Sequence, residues 1–390
     1  MIKVLQLVGG GEAIGGVEKM LLNYYAYMDR SKIRFDFCFF RRSTLVASHT
    51  EFTELLQDAN VYDLRLFDGQ GKFWGYIKAI PKVRKLIKES GYDVVHINAG
   101  RPPLLISGLI AAYLAGSKVR ITHSHSTKGK SERSRIADFA YALGFSIIRP
   151  MLRGLSTHLA ACSTEAAKYM FGDKIIESLK YFPIHNAIIV EPFIFSDGVR
   201  RDVRKELKCK DDTLVFGHIG SFSTPKNHLF LIDIFDAIHK KNPNSILWLA
   251  GNGSLKDVVE QEVKMCHLHD SVVFLGERND ANRLCQGMDV LVFPSLWEGL
   301  SVTLVEAQAS ALPVFASNNI SPEHKITDRI RFLDLTKGAE YWADFIINEL
   351  PGFSERQNMT DQITKAGYNI NNEAKKLQDF YAQVTSKNEY

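Results

Sequence analysis

The sequence predicts an α/β protein of two Rossmann-like domains, and three observations carry that prediction. An apolar strand, Lys3–Val8, runs into a glycine loop and then into an apolar-periodic helix from about Glu18 to Met28. The same strand–loop–helix order restarts about 210 residues later, with strand Leu214–Ile219, loop Gly220–His228 and helix Leu229–Lys240. The chain, at 390 residues, is long for a single hydrophobic core. The expectation is two similar units facing each other across a cleft, 1–195 and 196–371, with the linker around 190–200.

In the first half, the glycines of Gly9–Gly11 and Gly15-Gly16 let the backbone approach a ligand, and the helix start behind them favours an anion. The spacing is not GxGxxG, so a plain turn is the alternative reading. Phe35–Phe40 reads as a second strand, Glu51–Gln57 as part of a helix, and Phe73–Ser90 as a helix with Pro81 at its start or at a kink. That helix carries Lys78, Lys82, Arg84, Lys85 and Lys88. Such a face is either solvated or laid on an anionic membrane. Strand Asp93–Ile97 leads into Asn98–Pro103 and the apolar helix Leu104–Ala115. Strand Val119–Ser126 ends in His123-Ser124-His125. The pair is half of a metal site or two hydrogen-bonded histidines, and no Cys or His cluster completes the former. Lys128, Lys130, Arg133 and Arg135 follow in a Gly/Ser-containing loop, and Leu159–Ser163 is the last clear strand of this half.

In the second half, strand Ile246–Ala250 opens into Gly251-Asn252-Gly253, and Val272–Arg278 is a further strand and loop. The most informative stretch is Val290–Ala307. A β-branched run ends at Pro294-Ser295, a short loop carries Glu298 and Gly299, and Ser301 stands where it caps a helix to about Ser310. Strand, glycine-bearing loop and helix N-terminus together form a phosphate site. Carboxylates repel phosphate, so Glu298 and Glu306 are assigned to sugar and ribose hydroxyls. Both as ordinary surface carboxylates is the alternative. The segments beyond Ser317 are weaker.

Glu298-x7-Glu306, preceded by a strand ending Pro-Ser and followed by Ala307-x-Ala309-x-x-Leu312-Pro313-Val314, resembles the donor site of retaining glycosyltransferases of the GT-B fold. The likeness is to family GT4, and within it to bacterial exopolysaccharide and capsule transferases. It extends to about residue 330 and takes in Phe182–Ile188, which resembles the family's closing Asn-Gly-Ile-Asp. The resemblance implies donor binding by Gly15, Gly16, Ser221, Lys226, Asn227, Gly251, Arg278, Glu298, Gly299, Leu300, Ser301 and Glu306. Gly15 and Gly16 would lie against the diphosphate, Arg278 near the base, Glu298 on the transferred sugar and Glu306 on the ribose. Ser221 stands where the family carries an arginine, which removes a bidentate phosphate contact. His123 would lie in the cleft beside the sugar, so the catalytic set is His123, Lys226 and Glu298, with Arg101, His125 and Lys128 on the acceptor side. The resemblance also implies a last helix, from about residue 372, crossing back to the first domain.

Composition narrows the function classes. The five cysteines are scattered without a CxxC pair, which points to a reducing compartment and no zinc site. The apolar run Leu104–Gly116 is well short of the ~20 residues a membrane span needs. Residues 1–190 carry 26 Lys and Arg against 16 Asp and Glu, while the rest carries 22 against 28. No basic run is interleaved with aromatics, so nucleic acid is not the expected partner. An anionic membrane surface, or a polyprenyl-diphosphate-linked or other glycan acceptor, fits the basic half. The resulting expectation is a cytoplasmic transferase at the inner membrane face, using a nucleotide-sugar, UDP-linked first, with neither cofactor nor metal. A non-catalytic nucleotide-sugar-binding subunit, motivated by Ser221, and a nucleotide-sugar epimerase are the alternatives.

Overall fold

A computed structural model of the chain describes residues 1–10, 16–41, 54–66, 72–100, 102–126, 135–353 and 355–386. The chain divides into two units: Met1–Ala187 together with the C-terminal helix Ile370–Ser386, and Ile188–Asn369.

The first unit is a parallel sheet of β1 (Ile2–Val8), β2 (Ile33–Phe39), β3 (Val61–Asp63), β4 (Val94–Ala99), β5 (Val119–Ser124), β6 (His158–Ala161) and β7 (Tyr181–Pro183). The strands lie in the order β3-β2-β1-β4-β5-β6-β7. Their near-continuous apolar sequences, such as Val4 to Val8, suit strands buried on both faces. The order reverses between β1 and β4, where Val8 pairs with Asn98, and Asn98 pairs in turn with His123 of β5. Ligands of doubly wound sheets bind outside the carboxyl ends of the strands at such a reversal. Helix Lys72–Ser90 runs through Pro81, which lies on its exposed face. Ser163 caps helix Thr164–Phe171, its Oγ accepting the Ala166 N–H at 3.1 Å.

The second unit is a six-stranded parallel sheet of β8 (Leu214–Ile219), β9 (Ser245–Ala250), β10 (Val272–Gly276), β11 (Val290–Phe293), β12 (Val314–Ser317) and β13 (Ile330–Leu333). Its order is β10-β9-β8-β11-β12-β13, so the reversal falls between β8 and β11. One face packs Phe235, Leu249 and Trp342, the other Trp248, Leu291 and Leu304. Helix Asp197–Glu206 is fastened to the sheet through Asp289. Its carboxylate takes Arg200 and Arg204 at 2.6 Å each and accepts the Val215 N–H at 2.7 Å. The Arg204 guanidinium is 1% exposed, and its remaining bonds run to backbone carbonyls. A buried ion of this kind is tolerated because each guanidinium nitrogen has an acceptor and one of them is a carboxylate.

Several elements differ from expectation. Arg135 begins a helix, Arg135–Leu155, instead of closing a loop; Gly144, Pro150 and Gly154 break up its sequence pattern. Helix Asp197–Glu206 occupies part of the expected linker, because Ile188–Ser196 already belongs to the second unit. Strand β13 and helix Ala339–Glu349 lie in the segment read as weak. The chain passes between the units at Ala187–Ile188 and at Asn369–Ile370. The second-unit sides of these crossings are tied together, the Ile188 N–H donating to the Tyr368 carbonyl at 2.9 Å.

Candidate active site

In the second unit, the loops after β8 and β11 meet at the sheet reversal. After β8 the backbone turns at Gly220, whose N–H donates to Ala250 O at 2.9 Å, and Phe222 N–H donates to Asn252 O at 3.0 Å. This close stacking explains Gly251. Its φ is +144°, and a Cβ there would come within 2.0 Å of the Gly220 carbonyl oxygen. A short turn, Thr224–Lys226, then ends at Asn227 in the left-handed region with φ +56°. The Asn227 amide donates to Pro294 O at 3.1 Å, and Leu296 N–H donates to Pro225 O at 2.8 Å. The two loops are therefore bolted together on both sides of Lys226.

That bolting sets the central contact of the site. Lys226 Nζ lies 2.7 Å from Glu298 Oε1, with side chains only 15% and 12% exposed. The ammonium also sits 4.6 Å above the centre of the Phe293 ring, a cation–π contact. A pair so sheltered is screened less than a surface ion pair. Glu306 is half-buried in the second turn of helix Val302–Ala309, where its charge adds to burial in keeping the Cys285 thiol protonated. Gly299 is half-buried and Leu300 buried.

Three residues assigned to the donor from the sequence make contacts that the sequence did not show. Ser301 occupies the N-cap position, but its side chain makes no capping bond; its own N–H donates to His324 Nε2 at 2.9 Å. Ser221 is exposed, with its Oγ 3.0 Å from Ser223 Oγ. The Arg278 guanidinium makes two 2.7 Å bonds to Asp280 and one of 2.8 Å to Glu206, so it is committed to carboxylates. Gly16 starts the first helix, and an added Cβ there would meet nothing within 4 Å. Gly15, Arg101 and Lys128 lie outside the described residues.

The first unit places His123 in a buried, uncharged network. Asn98 Oδ1 lies 3.1 Å from His123 Nδ1 and 3.3 Å from His125 Nε2. Asn98 Nδ2 donates to Gln6 Oε1 at 2.8 Å, and Gln6 Nε2 donates to the Tyr381 hydroxyl at 3.3 Å. That hydroxyl is 2.7 Å from His96 Nδ1. The His96 tautomer sets the direction of that second bond. His123 is fully buried and His125 half-buried, their ring centres 3.9 Å apart. A molecule at this strand end therefore meets His125 first. Burial drives all three imidazoles to the neutral form, with His96 and His125 pushed down to about 3. Sequence reading missed His96, Gln6 and Tyr381. The first two sit mid-strand among apolar neighbours, and Tyr381 arrives from the last helix.

A cavity of about 260 Å³ opens beside this network at the β1/β4 reversal, lined among others by Gly10, Glu18, Arg41, Tyr76 and Asn98. Gly10 has φ +72°, and a Cβ there would lie 2.8 Å from the Arg41 carbonyl oxygen. Among the described residues, no group of three or more His, Cys, Asp or Glu could hold a metal ion, and no helix is long and apolar enough to cross a membrane.

Known proteins share both halves of this arrangement. Residues 199–361 match the family described as glycosyl transferases group 1, and residues 15–186 match the glycosyl transferase 4-like domain. The chain is 30% identical to EpsF of Bacillus subtilis, a glycosyltransferase by name, across 99% of this chain and 97% of that one. It is 27% identical to the UDP-Gal:alpha-D-GlcNAc-diphosphoundecaprenol alpha-1,3-galactosyltransferase of Escherichia coli, over 62% of each chain. The crystal structure of Anabaena Alr3699/HepE in complex with UDP superposes with a TM-score of 0.69 at 17% identity, covering 99% of this chain and 98% of that one.

Proposed function

The chain belongs to the glycosyltransferases of family GT4, with their two-domain GT-B fold, and we propose that it moves the sugar of a UDP-sugar to a lipid-diphosphate-linked glycan with retention of anomeric configuration. The observation that carries this reading is the Lys226–Glu298 pair, 2.7 Å apart at the sheet reversal and one short loop from the helix that bears Glu306. The diphosphate draws the Lys226 ammonium, and Glu298 is released to accept sugar hydroxyls. Glu306 accepts the ribose hydroxyls. The acceptor oxygen attacks C1 from the face the leaving group departs, the C1–O bond to phosphate breaks, and the acceptor's proton passes to the departing phosphate oxygen. Lys226 supplies cationic stabilisation there, so the reaction runs without a metal or other cofactor.

UDP as the nucleotide, and a lipid diphosphate on the acceptor, are supported by what the Escherichia coli relative is named for and by the UDP bound to the Anabaena structure. In the first unit, the cavity beside Asn98 offers Tyr76 as a ring for a sugar face, with Arg41 and Glu18 as polar partners. At the strand end of the first unit, His125 meets an arriving acceptor and His123 holds Asn98 behind it. The process served is exopolysaccharide or capsule synthesis at the inner face of the membrane. Exposed Trp74 and Ile77, on the helix that carries exposed Lys78, Lys82, Lys85 and Lys88, support peripheral contact with anionic lipid there.

The reading is tested by thermal shift and by release of free nucleotide with UDP-, GDP-, ADP- and dTDP-sugars, beside Glu306→Ala. The expected result is stabilisation and slow UDP release with one UDP-sugar, and loss of the shift in the variant. If no nucleotide stabilises the chain, the donor-site reading fails. A second reading, a nucleotide-sugar-binding subunit without turnover, is favoured by one observation: Ser221 adds no cation, and Glu298 neutralises Lys226. Stabilisation by UDP-sugar with no transfer to any lipid-diphosphate acceptor would select it.

A further inference from the structure

His324 is wholly buried, 23 residues from Ser301 in sequence, and both of its ring nitrogens are engaged. Nε2 lies 2.9 Å from the Ser301 amide nitrogen, and Nδ1 lies 2.8 Å from the Ser321 carbonyl oxygen. A backbone amide only donates and a carbonyl only accepts. The two partners therefore dictate one neutral tautomer, with the proton on Nδ1 and the lone pair on Nε2. The same loop is fastened a second time to the same helix. Gln308, fully buried, donates to the His324 carbonyl at 2.8 Å and to Leu304 O at 2.9 Å, while its Oε1 accepts from Ile326 N–H, Thr327 N–H and the Thr327 hydroxyl at 3.0 to 3.2 Å. Helix Val302–Ala309 is thus held at its start by His324 and near its end by Gln308.

The consequence reaches the site through three residues of chain. Ser301 directly follows Glu298-Gly299-Leu300, and its amide is the last before the helix. Because Ser301 Oγ caps nothing, the imidazole lone pair is what fixes the direction of the helix start. The free N–H groups of the next residues, and the angle at which Glu298 leaves the loop to meet Lys226, follow from that direction.

We propose that His324 is a positioning residue for the nucleotide-sugar: by accepting the Ser301 amide it aims the helix start and Glu298 at the donor. The inference rests on the donor-site reading above. It also makes donor affinity sensitive to acid, since a protonated imidazole has no lone pair for Ser301. The charged groups facing the ring are Glu298 and Glu323, which favour its proton, and Lys226, which opposes it; burial outweighs them and holds the pKa below the ordinary histidine range.

The test compares His324→Leu, which removes the acceptor, with His324→Gln, whose Oε1 reaches close to the Nε2 position. The full chain is titrated with UDP and with UDP-sugar from about pH 4 to about pH 8, spanning the ordinary histidine range and the region below it, and the melting temperature is recorded for each variant. His324→Leu should weaken nucleotide binding about tenfold, while His324→Gln stays within about threefold of wild type and loses the acid-side decline. The proposal is overturned if His324→Leu melts earlier yet binds UDP as wild type does, or if both variants keep the wild-type pH profile. Failure of wild-type protein to bind any nucleotide would instead remove the donor-site reading itself.

Discussion

The carboxyl ends of the two sheets hold polar clusters built in opposite ways. In the basic first unit the cluster is uncharged: Gln6, His96, Asn98 and His123 of the sheet share neutral hydrogen bonds with one another and with Tyr381 of the last helix. In the second half, which carries the acidic excess, the cluster centres on a sheltered ammonium and carboxylate, with its loops clamped by backbone bonds. Net charge therefore says little about where a charge is held ready for chemistry. The neutral network costs nothing in buried charge and gives rigidity. An ion pair can exchange partners with an incoming anion, which a neutral network cannot do.

The sharpest way to break this contrast is at Lys226. Lys226→Ala should lower transfer by about a hundredfold to a thousandfold, the usual scale for losing one preorganised electrostatic contact. Glu298→Gln should also lose transfer but bind free UDP at least as tightly as wild type, because it releases the ammonium from its carboxylate. Isothermal titration with UDP beside steady-state transfer assays checks both. Wild-type turnover in Lys226→Ala would show that the ion pair is structural.

A smaller effect is expected from Tyr381→Phe. Removing the hydroxyl leaves Gln6 Nε2 and His96 Nδ1 without their shared partner, a loss of about 1–3 kcal/mol read by denaturant unfolding. UDP affinity should not change. A matching fall in UDP affinity would mean that the two clusters act together.

The last effect is a slope, small within any one pH unit. His96 titrates at about 3 in the folded chain against ~6.5 when unfolded, so between these values the unfolded chain binds the extra proton. Its contribution to stability is complete above ~6.5 and declines as pH falls toward 3, by about 1.4 kcal/mol per pH unit. Stability measured against pH should lose that much slope in His96→Gln, and an unchanged slope would place the acid sensitivity elsewhere.

Legibility in the sequence followed chain distance. The second-unit candidate site draws on two short segments, Gly220–His228 and Val290–Glu306, each written as strand, loop and helix start, so local pattern was enough to single out Lys226, Glu298 and Glu306. His324 was not legible, because its acceptor role exists only once the loop after β12 folds back on Ser301. In the first unit, His123 and His125 stood at a strand end and drew attention, while Asn98 read only as the start of the segment after a strand. Their partners Gln6 and Tyr381 are 375 residues apart, and no periodicity links them. Helix Arg135–Leu155 was hidden by its glycines and proline. Strand β13 was hidden because four residues are too few for alternation to speak.

The closing helix has a consequence for how the protein is made. Gln6 is translated before the whole of the second unit, Ile188–Asn369, and its partner Tyr381 only after it. At roughly 5–20 residues per second, translating that unit alone takes about 10–40 seconds. Throughout that interval the first sheet stands with His96 and Gln6 awaiting the hydroxyl that satisfies them. The first unit thus stays unfinished until after the second is made, and a product stopped at Asn369 would carry the second unit whole and the first without Tyr381.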